Sequence, residues 1–87
     1  MHAVVVKVTI NEPEDADRAL REDVVPQVSQ APGFVAGYWT RKDNTGLSMV
    51  VFESEEAAQG MADRVGSVVP DSVTLDDVEV REVAASA

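Results

Sequence analysis

Few side chains in this chain can do chemistry, and they do not cluster. The chain has one histidine, His2, the side-chain type that ordinarily titrates near neutral pH. On a strand its parity places it with Val4 and Val6, on an apolar face. There it reads either as a general base or as a terminal, partly exposed histidine. Tyr38 and Trp39 are adjacent, so on a strand they point to opposite faces. Either can donate a hydrogen bond or stack on an aromatic ligand; equally, both suit a core or an interface where their polar tips find partners. Arg41 is of the type that binds anions, but it sits beside Lys42 and Asp43, where a solvated hairpin end is the simpler reading. Met49 and Met61 read as gap-fillers. Asp76, Asp77 and Glu79 come nearest to a metal cluster, yet calcium takes about six or more oxygens in a closed loop, and three acids on an extended strand do not supply them. With no cysteine and a single histidine, thiolate and multi-histidine metal sites within one chain are excluded. No metal or other cofactor is expected.

Composition narrows the partners. Seven Lys and Arg stand against 16 Asp and Glu, a formal charge of −9. Nucleic acids are bound by clustered Lys and Arg that replace counterions at phosphates. Here the basic residues are scattered singly, apart from Arg41-Lys42, so neither nucleic acid nor an anionic membrane is an expected partner. No apolar run approaches the roughly 18 residues of a membrane span. Met1-His2-Ala3-Val4 enters a strand pattern with no basic segment before it, which does not read as a signal peptide. A cytoplasmic location is expected.

The elements that must position these residues follow from periodicity. The 87 residues make one domain, residues 1–87. From Ala3 to Ile10, five of eight residues are Val or Ile, which suits a strand. Val4, Val6, Val8 and Ile10 share one face; Ala3, Val5, Lys7 and Thr9 share the other. Pro13, with Glu14, Asp15 and Asp17 behind it, marks a helix start. Ala16, Leu20, Val24 and Val28 recur every four residues as one apolar stripe. Pro26 interrupts that stripe, removes the bond to the Glu22 carbonyl and biases Val25 away from helix, which predicts a kink or break.

Pro32-Gly33 ends the helix, and a hairpin follows. Phe34, Ala36, Tyr38 and Thr40 alternate with Val35, Gly37, Trp39 and Arg41. Asp43-Asn44-Thr45-Gly46 is a turn with Gly46 available for positive φ, and Leu47 to Glu53 returns apolar on both faces. Ser54 caps a second helix, with Glu55 and Glu56 in its first turn. Ala58, Met61, Ala62 and Val65 form its buried stripe, and Gly66 is a plausible end. A last strand runs from about Val73 to Val83, with a bulge expected at Asp76-Asp77. The order is β-α-β-β-α-β, an α+β ferredoxin-like fold with a four-stranded antiparallel sheet and two helices on one face.

An antiparallel sheet with one wet face alternates apolar and polar residues, and the hairpin strands do not. Two helices cover one face only. The other measures roughly 20 Å by 20 Å, about 400 Å², near the size at which exposed apolar patches mark interaction sites. A second copy of the chain, sheet against sheet about a two-fold axis, is the economical cover.

Strand, helix, Pro32-Gly33-Phe34, hairpin, Phe52-Glu53-Ser54-Glu55-Glu56-Ala57, helix, strand resembles the layout of the dimeric α/β-barrel superfamily, and most of all its antibiotic biosynthesis monooxygenase-like group. The resemblance spans nearly the whole chain. It implies a homodimer through sheet faces and a pocket in each subunit between sheet and helices. Phe52 stands where many relatives carry a pocket-lining tryptophan, so the aromatic wall is kept and the indole donor lost. His2, Tyr38, Trp39 and Phe52 are therefore the candidate pocket-lining residues. Haem-degrading relatives carry an asparagine in the first strand and a histidine in the second helix. Neither is present here, which disfavours haem chemistry. The superfamily holds cofactor-free monooxygenases, isomerases and many small proteins of other roles, so fold transfers no activity. Two readings follow: a dimer binding a small apolar or aromatic ligand, or a cofactor-independent monooxygenase. The valine-rich walls and scarcity of titratable groups favour the first.

Overall fold

The computed structural model describes all residues, Met1–Ala87. Its elements are β1 (His2–Ile10), α1 (Pro13–Ala19), a π-helical turn (Leu20–Val24), α2 (Val25–Ser29), β2 (Phe34–Lys42), β3 (Thr45–Phe52), α3 (Glu55–Val68) and β4 (Val73–Glu82). The valine-rich β1 lies inside an antiparallel sheet of order β2-β3-β1-β4. This is the ferredoxin-like β-α-β-β-α-β topology, with α1 through α2 acting as one helical arm.

Register sorts the side chains onto two faces. Val4 pairs with Val50 on one side and Val80 on the other, and Val6 with Ser48 and Val78. Directly opposed residues share a face. The helix-facing side therefore carries Val4, Val6, Val50 and Phe52, the seat of the core with Val28, Ala58, Met61 and Val65. Phe52 and Val4 are wholly buried, and burying a side chain of this kind stabilises by roughly 1.5–3 kcal/mol. Phe34 meets Phe52 edge-on, with ring centroids 6.2 Å apart. The opposite side carries Ala36, Tyr38, Leu47, Met49 and Val51, by their pairing Tyr38 to Met49 and Ala36 to Val51.

The structure corrects four local expectations. Phe34 does not share a face with Ala36 and Tyr38. The β2–β3 register shifts between Phe34 and Ala36, so Val35 is a bulge that returns Phe34 to the core side. Pro26 does not break the arm. Val25 stays helical (φ −59°, ψ −47°), and its N–H donates to the carbonyl of Leu20, five residues back. The widened π turn relieves the clash that a proline ring makes with the carbonyl four residues earlier. Gly46 does not carry the positive φ of the hairpin. Only Asp43 and Asn44 lie outside the strands, and Asp43 takes φ +55°, a conformation that Asp tolerates through its short polar side chain. Gly66 does not end α3, which continues to Val68. Val69 then turns extended (ψ 128°) because Pro70 follows it.

Two expectations hold, the Ser54 cap and the bulge in β4. The Ser54 hydroxyl accepts the Ala57 N–H at 3.1 Å and caps α3. The β1–β4 register shifts between Lys7 and Val8, opposite Asp76, where the bulge was expected. No helix is long and apolar enough to cross a membrane.

Candidate functional site

Between the helical arm and the sheet lies a cavity of about 300 Å³. Val4, Val6, Val8 and Ile10 of β1 form its floor, and the arm's stripe Ala16, Leu20, Val24 and Val28 its roof. Met61, Val65 and Val68 of α3 close it on one side, and Trp39 with Val50 on the other. Sixteen of its 22 lining residues are hydrophobic, and only Asp17, Thr40, Arg41 and Ser48 bring polar side chains. Ligand pockets begin at about 300 Å³ and are mostly apolar with few polar groups, so this cavity suits a small, compact, largely apolar molecule.

Two glycines let side chains lie close against the sheet here. Gly37 and Gly46 lie on the sheet beneath the cavity. A Cβ on Gly37 would stand 2.8 Å from the far edge of the Trp39 ring, and one on Gly46 2.7 Å from Val8 Cγ2. Both glycines act by admitting close neighbours, and Gly37 lets the indole lie over the strand. Trp39 and Ser48 are directly opposed in the β2–β3 register, which sets an indole N–H and a hydroxyl on the same stretch of sheet. Ser48 escaped the sequence reading. Its signal was a hydroxyl in β3 at the parity of Val50 and Phe52, a polar residue on a core-facing row.

Of the four candidate pocket residues, the structure places one on the cavity. Trp39 lines it. Tyr38, of opposite parity, lies on the other face of the sheet and is 68% exposed. Phe52 is fully buried in the core beyond the cavity wall. His2 sits at the start of β1, opposite Phe52 and Glu82. Its Nε2 is 3.3 Å from Glu55 Oε2, at the first turn of α3, and it does not line the cavity. The four candidates thus do not converge.

The charged residues form a separate group at the cavity rim. Asp17 on α1 lies 3.8 Å from Arg41 on β2 and 3.6 Å from Arg21, one helical turn further along the arm. Thr40 spends its hydroxyl on the Leu47 carbonyl. On β4, Asp76 accepts the Thr9 hydroxyl at 2.7 Å, and Glu79 pairs with Arg81 at 2.9 Å. No three His, Cys, Asp or Glu side chains gather as a metal cluster.

No family model and no curated protein matches this chain. Solved structures do. A monooxygenase from the ActVA-Orf6 gene of Streptomyces coelicolor, in complex with nanaomycin D, superposes with a TM-score of 0.60 at 12% identity, over 99% of this chain and 89% of that one. A protein of Chloroflexus aurantiacus assigned to the antibiotic biosynthesis monooxygenases gives a TM-score of 0.58 at 12% identity, over 100% and 98%. The haem-degrader MhuD of Mycobacterium tuberculosis, with two haems in its active site, gives 0.54 at 20% identity, over 97% and 98%. The chain shares the fold of antibiotic biosynthesis monooxygenase-type proteins.

Proposed function

We propose that this chain binds a small aromatic or apolar ligand in the cavity between its helical arm and its sheet, as one half of a homodimer. The observation that carries the binding reading is a 300 Å³ space with hydrophobic walls and an aromatic side, Trp39. Apolar surface of a ligand placed there leaves water at roughly 25 cal/mol per Å². The homodimer rests on the other sheet face, where Tyr38, Met49 and Leu47 are about half exposed or more. Such a patch on a small domain marks an interaction surface, and a two-fold axis makes it self-complementary. Trp39 is the only tryptophan, so its emission reports on the cavity alone. Titration with a polycyclic phenol such as a dihydroxyanthracene saturates a change in that emission. Absence of any saturable change across polycyclic phenols and hydrocarbons rules the ligand reading out.

A second reading, cofactor-independent oxygenation of that ligand, draws support from the monooxygenases that share the fold. Such chemistry needs a substrate that forms a stabilised carbanion, donors for the developing oxyanion and a dry site. The Trp39 N–H and Ser48 hydroxyl are the neutral donors on the cavity, the Arg41 guanidinium stands at its rim, and the hydrophobic walls limit the water around them. The step lacking an obvious agent is proton removal, because Asp17 and Arg41 are the only charged side chains on the cavity and His2 lies off it. A substrate acidic enough to enter as its phenolate removes that need. Oxygen uptake with formation of quinone absorbance, lost in Ser48→Ala, is the outcome this reading predicts. Haem fits the cavity poorly. Of the residues that commonly hold haem iron, His2 and Tyr38 lie off it, cysteine is absent from the chain, and Met61 alone lines it.

A further inference from the structure

Three basic or acidic side chains at the cavity mouth are joined in a way the rest of the surface is not. Asp17 lies between two guanidinium groups, Arg21 at 3.6 Å and Arg41 at 3.8 Å. One carboxylate faces two cations, so the group carries a local excess of one positive charge in a chain whose formal charge is −9. Arg41 and Asp17 both line the cavity. At 3.8 Å the Arg41 contact is an ion pair beyond hydrogen-bond length, so its donors are not committed to Asp17. Arg21 stays near Asp17 along the same arm, one turn apart, and keeps a cation beside that carboxylate if Arg41 turns away.

We propose that Arg41 is an anion reader for the cavity, and that the ligand is amphipathic: an aromatic or apolar body against Trp39 and the valines, with a carboxylate or similar anion at the rim. This deepens the ligand-binding reading above and rests on it. Asp17 acts as an internal stand-in for the ligand anion. A bound carboxylate takes the guanidinium fork in two parallel hydrogen bonds, which a side chain 3.8 Å away does not. The low-dielectric walls behind the rim strengthen that contact relative to one in open water. The half-exposed position of Arg41 limits the gain.

The test compares 2-naphthoate with its neutral amide, 2-naphthamide, by titration calorimetry on the intact chain. The carboxylate binds about two- to fivefold tighter than the amide, the range for a partly exposed charge-assisted pair, and the preference shrinks as salt rises. Arg41→Gln levels the two affinities. Arg18→Gln removes an equal charge one residue along the arm from Asp17, but its partner is Asp15, and the preference survives. Asp17→Asn, which frees Arg41 from its stand-in, raises the preference; a purely structural ion pair gives no such rise. Equal binding of acid and amide by the unaltered chain overturns the anion reader while the cavity stands. A preference that persists in Arg41→Gln overturns it too. Binding of neither compound removes both the reader and the cavity reading beneath it.

Discussion

Trp39 lies over Gly37 on the helix-facing side of β2, so close that a Cβ at position 37 would stand 2.8 Å from Cη2 and 2.9 Å from Cζ3 of the indole. The cavity's one aromatic wall is therefore set by a residue with no side chain. The register adds Ser48 opposite Trp39, so the pair also fixes where the indole stands relative to the Ser48 hydroxyl.

Gly37→Ala follows from this contact. The atoms in conflict are the outer edge of a side chain that borders open space, so the ring swings into the cavity and the backbone holds. Stability changes by no more than about 1 kcal/mol, since alanine also costs less entropy in a strand than glycine. The emission maximum of Trp39 shifts, and affinity for an aromatic ligand falls. A variant with unchanged emission and unchanged affinity contradicts the contact.

Met49→Lys addresses the other face of the sheet. Met49 is directly opposed to Tyr38 and half exposed, at the middle of the apolar patch. A two-fold interface would bring two new cations into one dry contact, and like charges so placed cost several kcal/mol. Sedimentation velocity gives a dimer for the unaltered chain and a monomer for Met49→Lys. A monomeric unaltered chain removes the dimer from the account.

Ser54→Ala reports on the start of α3. The hydroxyl accepts the Ala57 N–H at 3.1 Å, and losing an N-cap of this kind costs about 1 kcal/mol. For a domain of this size that lowers the thermal midpoint by roughly 4–8 °C. A shift under one degree means that water replaces the cap at no cost.

Much of the fold could be read from residue order because each element carries one repeating signal. The even residues of β1 and the fourfold spacing of Ala16, Leu20, Val24 and Val28 each name a face, and the cavity lies between those two faces. What parity could not resolve was β2, whose two rows are both apolar and whose bulge at Val35 breaks the alternation. Tyr38 and Trp39 are equivalent by type, and only the packing on β3 separates the exposed one from the cavity wall. The Asp17–Arg41 pair was out of reach for another reason: it spans the arm and the sheet, and local spacing carries no trace of it. Pro26 misled because a proline removes an α-helical bond by rule, whereas a π turn re-registers the chain around it.

The central claim, that ligand enters between arm and sheet, is tested most directly by methyl-resolved NMR of the chain titrated with 2-naphthoate. Binding there moves the methyl resonances of cavity-lining residues, Val6, Leu20, Val24 and Val65 among them, and leaves Met49 and Val51 on the far face unmoved. Changes centred on Met49 and Val51, or none at saturating ligand, would contradict it.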